Sequence, residues 1–247
     1  MKKEKKILIV NDDGYTSEGL RILADWASRR GEITVCAPKN EQSGKSHGIN
    51  IHDPFEARRV DLPFAAEVWS VDSTPADCVR FAVNGLHRSF DLVLSGINRG
   101  INVGRDILYS GTVGAIFEAE ALGIPAIAIS TEPDSFSFAK ECLDEIFDFI
   151  ESNRMLDRNW LYNVNIPCRP ACGIRVTRQA GPYYLDRIEP CGEDMFRQIG
   201  YSSYQGTADL SLDLDAVMNG YISITPMTIE RTHTASYEHY KNVLYKE

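Results

Sequence analysis

The chain has 247 residues and a formal net charge of −9 at pH 7, with 43% hydrophobic and 25% charged residues. This length allows one α/β domain, or a domain with an appendage, to bury a substantial core. The acidic balance, without a long Lys/Arg cluster, argues against a nucleic-acid polymer as a partner, and no apolar run reaches the length of a membrane span.

The N-terminal segment Met1–Lys6 is basic, but only four apolar residues follow before Asn11. That run is too short for the apolar core of a signal peptide. We therefore expect the mature chain to begin near Met1 and to stay in the cytoplasm. In that compartment the cysteines are expected to be reduced thiols, and the spacing of Cys168, Cys172 and Cys191 fits no common zinc pattern.

Strand and helix patterns alternate over the first 150 or so residues, which predicts a parallel sheet with covering helices. The predicted strands are Ile7–Val10, Ile33–Ala37, Glu67–Val71, Phe90–Leu94 and Ile124–Ile129. The predicted helices are Ser17–Arg30, Pro75–Asn84, Thr112–Leu122 and Phe138–Ile150. Residues 39–67 look irregular, and Ser95–Ser110 reads as a long loop.

The regular alternation of strand and helix patterns ends after residue 150. Strands are predicted at Trp160–Ile166, Gly173–Thr177 and Tyr221–Ile224, with hairpin-like pieces near Gly181 and Gly192 and a terminal helix at Ala235–Tyr245. We interpret residues 170–220 as a β-rich excursion that forms an arm or a partner surface. Residues 1–247 are thus predicted to form a single domain, with a core over 1–150 and the last core elements plus the arm over 151–247.

An acidic pair follows the first predicted strand. Asp12 and Asp13 come directly after Val10 and Asn11, and Gly14 permits the chain to bend there. Ligands of open α/β sheets bind beyond the carboxyl ends of strands, and two adjacent carboxylates repel each other unless a positive charge lies between them. The pair therefore indicates a site for a hard divalent cation, with an Asx-type turn as the alternative.

The predicted loop Ser95–Ser110 is unusually long for a compact α/β unit, and such loops are usually functional or disordered. Its glycines at 96, 100 and 104 let backbone N–H groups approach an anion, and Asn98 and Asn102 offer amide groups. Ser110-Gly111-Thr112 then opens a helix, whose N-terminus favours phosphate. A glycine-rich surface loop and simple capping by Ser110 are the alternatives.

The combination of motifs resembles the SurE (survival protein E) nucleotidase family over nearly the whole chain. The matching motifs, in chain order, are Asn11-Asp12-Asp13-Gly14, Ser43-Gly44, Thr74–Val79, the Ser95–Asp106 loop, Tyr109–Thr112, Gly123–Ala126 and Gly220–Pro226. The sequence departs from the family pattern at Ser73 and Ala119, where glycine is usual, and over Lys45–Asn50, which leaves substrate preference open.

The resemblance implies a divalent-metal phosphatase that hydrolyses nucleoside 5′-monophosphates, with 3′-monophosphates and short polyphosphate as further substrates to test. Its implied fold is a Rossmann-like three-layer parallel sheet with a β-rich C-terminal extension that joins subunits into a homodimer or homotetramer. The implied metal ligands are Asp12, Asp13, Ser43 and Asn98. Such an all-oxygen set suits one Mg²⁺ or Mn²⁺ per subunit.

The proposed reaction is attack of water on a phosphate monoester. Asn102, Ser110, Gly111 and Thr112 are the predicted phosphate contacts. Asp12 and Asp13 are the predicted catalytic residues, and the sequence leaves open whether either acts as a nucleophile or a general base as well as a ligand. His47 lies close to Ser43 in sequence and could contact substrate, and the role of Lys45 is equally open.

Two other classes of protein fit part of the pattern. A receiver-type switch also binds Mg²⁺ beyond its first strand, with Asp53 as the candidate phosphoacceptor, but this position lies in a polar stretch beside Pro54. A binding module would hold nucleoside monophosphates without hydrolysing them. Release of phosphate in many-fold excess over protein separates a phosphatase from both.

Overall fold

The structure is a computed structural model that describes residues 4–244. Its strands are β1 (Lys5–Val10), β2 (Gly31–Pro38), β3 (Ala57–Leu62), β4 (Ala65–Val71), β5 (Leu92–Arg99), β6 (Ala126–Thr131), β7 (Leu161–Ile166), β8 (Ile174–Val176), β9 (Tyr184–Gly192), β10 (Met195–Ser202) and β11 (Ile222–Pro226). Its α-helices are α1 (Glu18–Ala27), α2 (Pro75–Arg80), α3 (Gly111–Ala121), α4 (Phe136–Ser152), α5 (Asp213–Met218) and α6 (Thr234–Leu244).

A nine-stranded sheet in the order β3-β4-β2-β1-β5-β6-β7-β11-β8 forms the centre of the described chain. The run from β4 to β7 is parallel, whereas β3 and β11 pair antiparallel with β4 and β7. The chain moves outward from β1 to β2 on one side and later continues at β5 on the other. This reversal is a topological switch point, where open α/β sheets bind their ligands.

Helices cover both faces of the sheet, and the alternation along β1 shows how. Ile7 and Ile9 pack in a cluster with α1 and α4, whereas Leu8 and Val10 pack in a second cluster with α2 and α3. All four side chains are at most 2% exposed. Each such burial stabilises the fold by about 1.5–3 kcal/mol. The predicted three-layer α/β architecture is therefore confirmed, as a mostly parallel mixed sheet.

The predicted loop Ser95–Ser110 is wrong over its first part, because β5 continues to Arg99. Its pairing with β6 is irregular between Gly96 and Asn98, as in a β-bulge. A Cβ atom on Gly96 would lie 2.2 Å from the carbonyl oxygen of Ile129, so only glycine fits there. After the bulge, β5 continues to Asn98 and Arg99, which lie at the carboxyl end of the strand beside Asp12 and Asp13.

Two further predictions are corrected. Residues 39–67 are not irregular throughout, since β3 forms the sheet edge, where its polar sequence gave little strand signal. The region 170–220 contains α5 as well as strands. The carboxylate of Asp213 is buried and accepts hydrogen bonds from the backbone of Gly104, Ala180 and Leu214. A buried aspartate interrupts the apolar spacing by which a helix is recognised in a sequence, and this explains why α5 was not predicted.

The arm, defined as the β9–β10 hairpin, pairs antiparallel and stands outside the main sheet. Its base is bound to the loop that follows β5, because Asp106 accepts hydrogen bonds from the backbone of Tyr183 and Tyr184, each at 2.8 Å.

The terminal helix was predicted to reach Tyr245, which lies outside the described residues. Every helix described between residues 4 and 244 is too short or too polar to cross a membrane.

Candidate functional site

The turn after β1 is fixed by Asn11. Its side-chain amide donates hydrogen bonds to the Gly14 carbonyl at 3.0 Å and to Ser17 Oγ at 2.7 Å. Gly14 has φ +101°, a conformation that L side chains rarely adopt. Ser17 in turn caps α1 by accepting a hydrogen bond from the backbone of Leu20. This turn holds the acidic pair at the switch point between β1 and β5.

Asp12 faces the side of the sheet that α2 and α3 cover. Thr112 Oγ1 donates a short hydrogen bond to Asp12 Oδ1. Gly111 packs against Asp12, since a Cβ atom there would lie 3.1 Å from Asp12 Oδ2. Asp12 is 4% exposed, and this burial raises the pKa of its carboxyl. The start of α3 therefore contacts Asp12 directly.

Asp13 faces the opposite side of the sheet, which α1 and α4 cover. The backbone N–H of Arg99 donates to Asp13 Oδ2 at 3.2 Å. Burial and the neighbouring charge of Asp12 raise the pKa of Asp13 to about 6. Two carboxylates held together in this way are costly when both are ionised, and a divalent cation between them would offset that cost.

The neighbours of Ser43 and Asn98 contact the acidic pair. The backbone N–H of Gln42 donates to the Asp12 carbonyl at 2.7 Å, which places Ser43 one residue away from that contact. Asn98 directly precedes Arg99, and its amide nitrogen donates to the Gly100 carbonyl at 2.7 Å. The amide oxygen of Asn98, the atom a cation needs, is not used in that bond.

The four predicted ligands all offer oxygen atoms, which suits a hard divalent cation. Ser43 Oγ donates to Glu41 Oε1 at 2.6 Å, so this hydroxyl would exchange its partner for a cation. Within residues 4–244, no group of three or more His, Cys, Asp or Glu side chains is arranged for a metal. The assignment of Asp12, Asp13, Ser43 and Asn98 as metal ligands stays a prediction.

The N-terminus of α3 is capped by Ser110, whose Oγ accepts a hydrogen bond from the backbone of Val113 at 3.1 Å. The capping alternative is therefore realised, and it is compatible with a phosphate contact because a hydroxyl can still donate. The Thr112 hydroxyl donates to Asp12, and the backbone N–H of Thr112 also bonds that carboxyl, so both donors of Thr112 already have a partner. Ser110, Gly111 and Thr112 stay predicted phosphate contacts.

Asn102 is held by polar residues that the sequence analysis missed. Its backbone N–H donates to Asn165 Oδ1, and its carbonyl accepts from the amides of Asn163 and Asn165, all at 2.8 Å. Its own amide donates to Ser130 Oγ at 2.9 Å. The available signal was the two asparagines in the otherwise apolar strand β7. These bonds fix the backbone of Asn102, and its role as a phosphate contact stays a prediction.

His47 contacts a buried carboxylate. Its Nε2 lies 2.8 Å from Glu118 Oε2 on α3, and Arg80 Nη1 donates to Glu118 Oε1 at 2.8 Å. Burial raises the pKa of Glu118, but these two hydrogen bonds outweigh it and lower the pKa below its usual value. Ser46 Oγ also donates to the Leu108 carbonyl. These contacts fasten the segment that carries Ser43 to α3 and to the residues just before it, whereas Lys45 is exposed.

We expect Glu118→Gln to weaken binding of Mg²⁺ or Mn²⁺ by about tenfold, as losses of supporting hydrogen bonds around a metal site typically do. The neutral amide keeps the side-chain size but cannot accept from both His47 and Arg80. Titration calorimetry measures the affinity. Glu120→Gln, on the same helix, is the matched control, because Glu120 Oε2 is buried without a hydrogen-bond partner. Equal affinity in both variants would contradict this anchoring.

We expect Gly111→Ala to lower kcat/KM by roughly 10- to 100-fold, in line with the cost of small misplacements near reacting groups. The new methyl group would lie 2.9 Å from Asp12 Cβ, so the carboxylate must shift. Helix content should be retained, since alanine favours helix over glycine. Gly181→Ala is the control, because a Cβ atom there meets nothing within 4 Å. Wild-type kinetics in Gly111→Ala would contradict the close approach.

Comparisons with known proteins identify the family of this chain. A family model described as Survival protein SurE matches residues 7–186. Similar proteins include a "5'-nucleotidase SurE" of Pelotomaculum thermopropionicum, 38% identical over 97% of this chain and 95% of that protein, and one of Legionella pneumophila strain Philadelphia 1, 35% identical over 97% of each. The crystal structure of the SurE protein from Aquifex aeolicus aligns with a TM-score of 0.80 and 32% identity, covering 96% of this chain and 99% of that one. The chain therefore belongs to the SurE family.

Proposed function

We propose that this protein is a divalent-metal-dependent phosphatase that hydrolyses nucleoside 5′-monophosphates to nucleoside and inorganic phosphate. The observation that carries the proposal is the acidic pair Asp12–Asp13 at the switch point, with Asp12 hydrogen-bonded to Thr112 at the start of α3. Membership of the SurE family and the 5′-nucleotidase names of its relatives support a phosphomonoester hydrolase.

One Mg²⁺ or Mn²⁺ per subunit would be held by Asp12, Asp13, Ser43 and Asn98. When bound, the cation supplies positive charge for phosphate oxygens and acidifies water. The donors at Asn102 and Ser110–Thr112 would orient the remaining phosphate oxygens at the N-terminus of α3. The Thr112 hydroxyl also keeps Asp12 Oδ1 in place.

A metal-by-substrate activity panel tests this function. Purified protein is assayed with Mg²⁺, Mn²⁺ or neither, on nucleoside 5′- and 3′-monophosphates and on short polyphosphate. We expect repeated turnover of 5′-monophosphates only when a divalent cation is present. Retention of one phosphate per chain would instead indicate a receiver-type switch, and binding without release would indicate a binding module. Asp53, the candidate phosphoacceptor, is exposed in the segment between β2 and β3.

We further propose that the arm joins two or four copies of the chain. Its support is a set of exposed apolar side chains on the hairpin, with Ile188 70%, Phe196 68% and Met195 62% exposed. An apolar surface of this kind usually marks an interaction site. Location in the cytoplasm stays a prediction from the sequence.

We expect the double variant Ile188→Ser, Phe196→Ser to shift the protein toward monomer in light scattering coupled to size-exclusion chromatography. The two side chains lie on paired strands of the arm, so polar replacements should leave the core intact. Val176→Ser, another exposed apolar position but outside the arm, serves as the control. An unchanged molar mass for the double variant would contradict the assignment of the arm.

A further inference from the structure

A cavity of about 530 Å³ opens beside the acidic pair, on the side of the sheet that α1 and α4 cover. Its walls include Asp13, Glu18, Arg99, Asp134 and Phe136. Because Asp13 is both a predicted metal ligand and part of this wall, the cavity begins where the phosphate site ends. Its volume is within the range of small-molecule sites.

The two faces of the sheet present different groups at the carboxyl ends of β1 and β5. The start of α3, which carries the predicted phosphate contacts, bonds Asp12 on one flank. The cavity borders Asp13 on the opposite flank. A phosphate ester held at α3 through its free oxygens must direct its alcohol portion elsewhere, and this cavity is the adjoining space. The cavity is therefore the candidate space for the part of the substrate beyond the ester oxygen.

The chemistry of the walls selects the kind of alcohol. Phe136 is partly buried, and its ring is held at the start of α1, because a Cβ atom on Gly19 would lie 2.9 Å from Phe136 Cε1. Glu18 is exposed in the first turn of α1. An aromatic face with a carboxylate nearby matches a heterocyclic base joined to a sugar with hydroxyl groups.

Arg99 completes the wall between Asp13 and Asp134. Its guanidinium pairs with Asp134 at 3.1 Å, and both side chains are well exposed, at 59% and 84%. Exposed ion pairs of this kind contribute little to stability. The pair can therefore open to admit a ligand without a large loss of folding free energy.

We propose that this cavity binds the nucleoside of the substrate, with Phe136 as the surface on which the base stacks and Glu18 as the acceptor for sugar hydroxyls. This inference rests on the proposed function and deepens it, because it assigns the residues that distinguish a nucleotide from a smaller phosphate ester. Phe136 then acts on substrate affinity rather than on the phosphate chemistry.

Two substrates that differ only in the base test the stacking. Adenosine 5′-monophosphate and ribose 5-phosphate share the same phosphate and sugar, so the ratio of their kcat/KM values isolates the base. We expect Phe136→Leu to lower that ratio about tenfold, mainly through KM for the nucleotide. Phe138→Leu is the matched control, because Phe138 lies on the same helix and packs against the same core without lining the cavity.

Binding of adenosine to the metal-free protein provides a second readout that needs no turnover. We expect calorimetry to show adenosine binding to the wild type and to Phe138→Leu, with about tenfold weaker binding to Phe136→Leu. Absence of adenosine binding to the wild type, or equal effects of the two leucine variants, would overturn the proposal. Failure of the proposed function has another signature: the wild type hydrolyses neither ester, whatever its affinity for adenosine.

Discussion

Asp12→Asn is expected to reduce kcat on a nucleoside 5′-monophosphate by at least about 10³-fold at saturating metal. Losing one preorganised charge at a reacting phosphate typically costs this much or more. The amide oxygen of asparagine can still accept the hydrogen bond from Thr112, so the local structure should persist. Phosphate release and thermal unfolding of the same preparation measure both effects.

Stability should move in the opposite direction to activity. Burial raises the pKa of Asp12, which means that its ionised form destabilises the metal-free protein. Asparagine carries no charge, so metal-free Asp12→Asn should unfold at the same or a higher temperature than the wild type. Asp25→Asn, an exposed carboxylate on α1 paired with Arg21, is the control and should change neither property. An Asp12→Asn enzyme that keeps most of its activity would remove Asp12 from the catalytic site.

Removal of divalent cations is expected to abolish turnover, and addition of Mg²⁺ or Mn²⁺ to metal-free protein should restore it. The same addition should raise the unfolding temperature by roughly 5–10 °C at 100 times the dissociation constant, because a ligand of the folded state stabilises it by mass action. The source of this stabilisation is relief of the repulsion between Asp12 and Asp13. Activity assays and calorimetric scans with and without a chelator measure both.

The thermal effect should also depend on pH. In the metal-free protein the pKa of Asp13 is raised from 3.8 to about 6, so its contribution to stability is present below about pH 4 and is lost as the pH rises through about 6. Cations should therefore stabilise the protein more at pH 7.5 than at pH 5. Asp13→Asn should lose most of the cation effect at both pH values. A wild-type unfolding temperature that does not respond to cations would contradict a metal site at this pair.

The parallel part of the fold was predictable because its strands are short, buried and rich in β-branched residues. The run Ile7–Val10 lies within β1, and Ile124–Ile129 overlaps β6. The strand β3 and the helix α5 escaped prediction for physical reasons. An edge strand with exposed charges has little apolar alternation, and α5 buries Asp213 and Asp215 by hydrogen bonds rather than by apolar periodicity.

Local motifs predicted which segments form the candidate site. They did not predict the side-chain contacts that hold those segments in place. The contact between Asp12 and Thr112 joins residues 100 positions apart, yet both motifs pointed to the same strand edge. The pairing of His47 with Glu118 and the support of Asn102 by Asn163 and Asn165 depend on side chains that meet only after the sheet has formed. A single sequence carries no spacing rule for such contacts.

The two outer strands of the main sheet limit how chains can aggregate. At one end β3 exposes Arg58, Arg59 and Asp61, and at the other end β8 is only three residues long. Charged or very short outer strands are the usual protection against edge-to-edge pairing of backbones. The protein can therefore present an apolar hairpin to its surroundings while its central sheet gives a neighbouring chain little open backbone on which to grow a fibre.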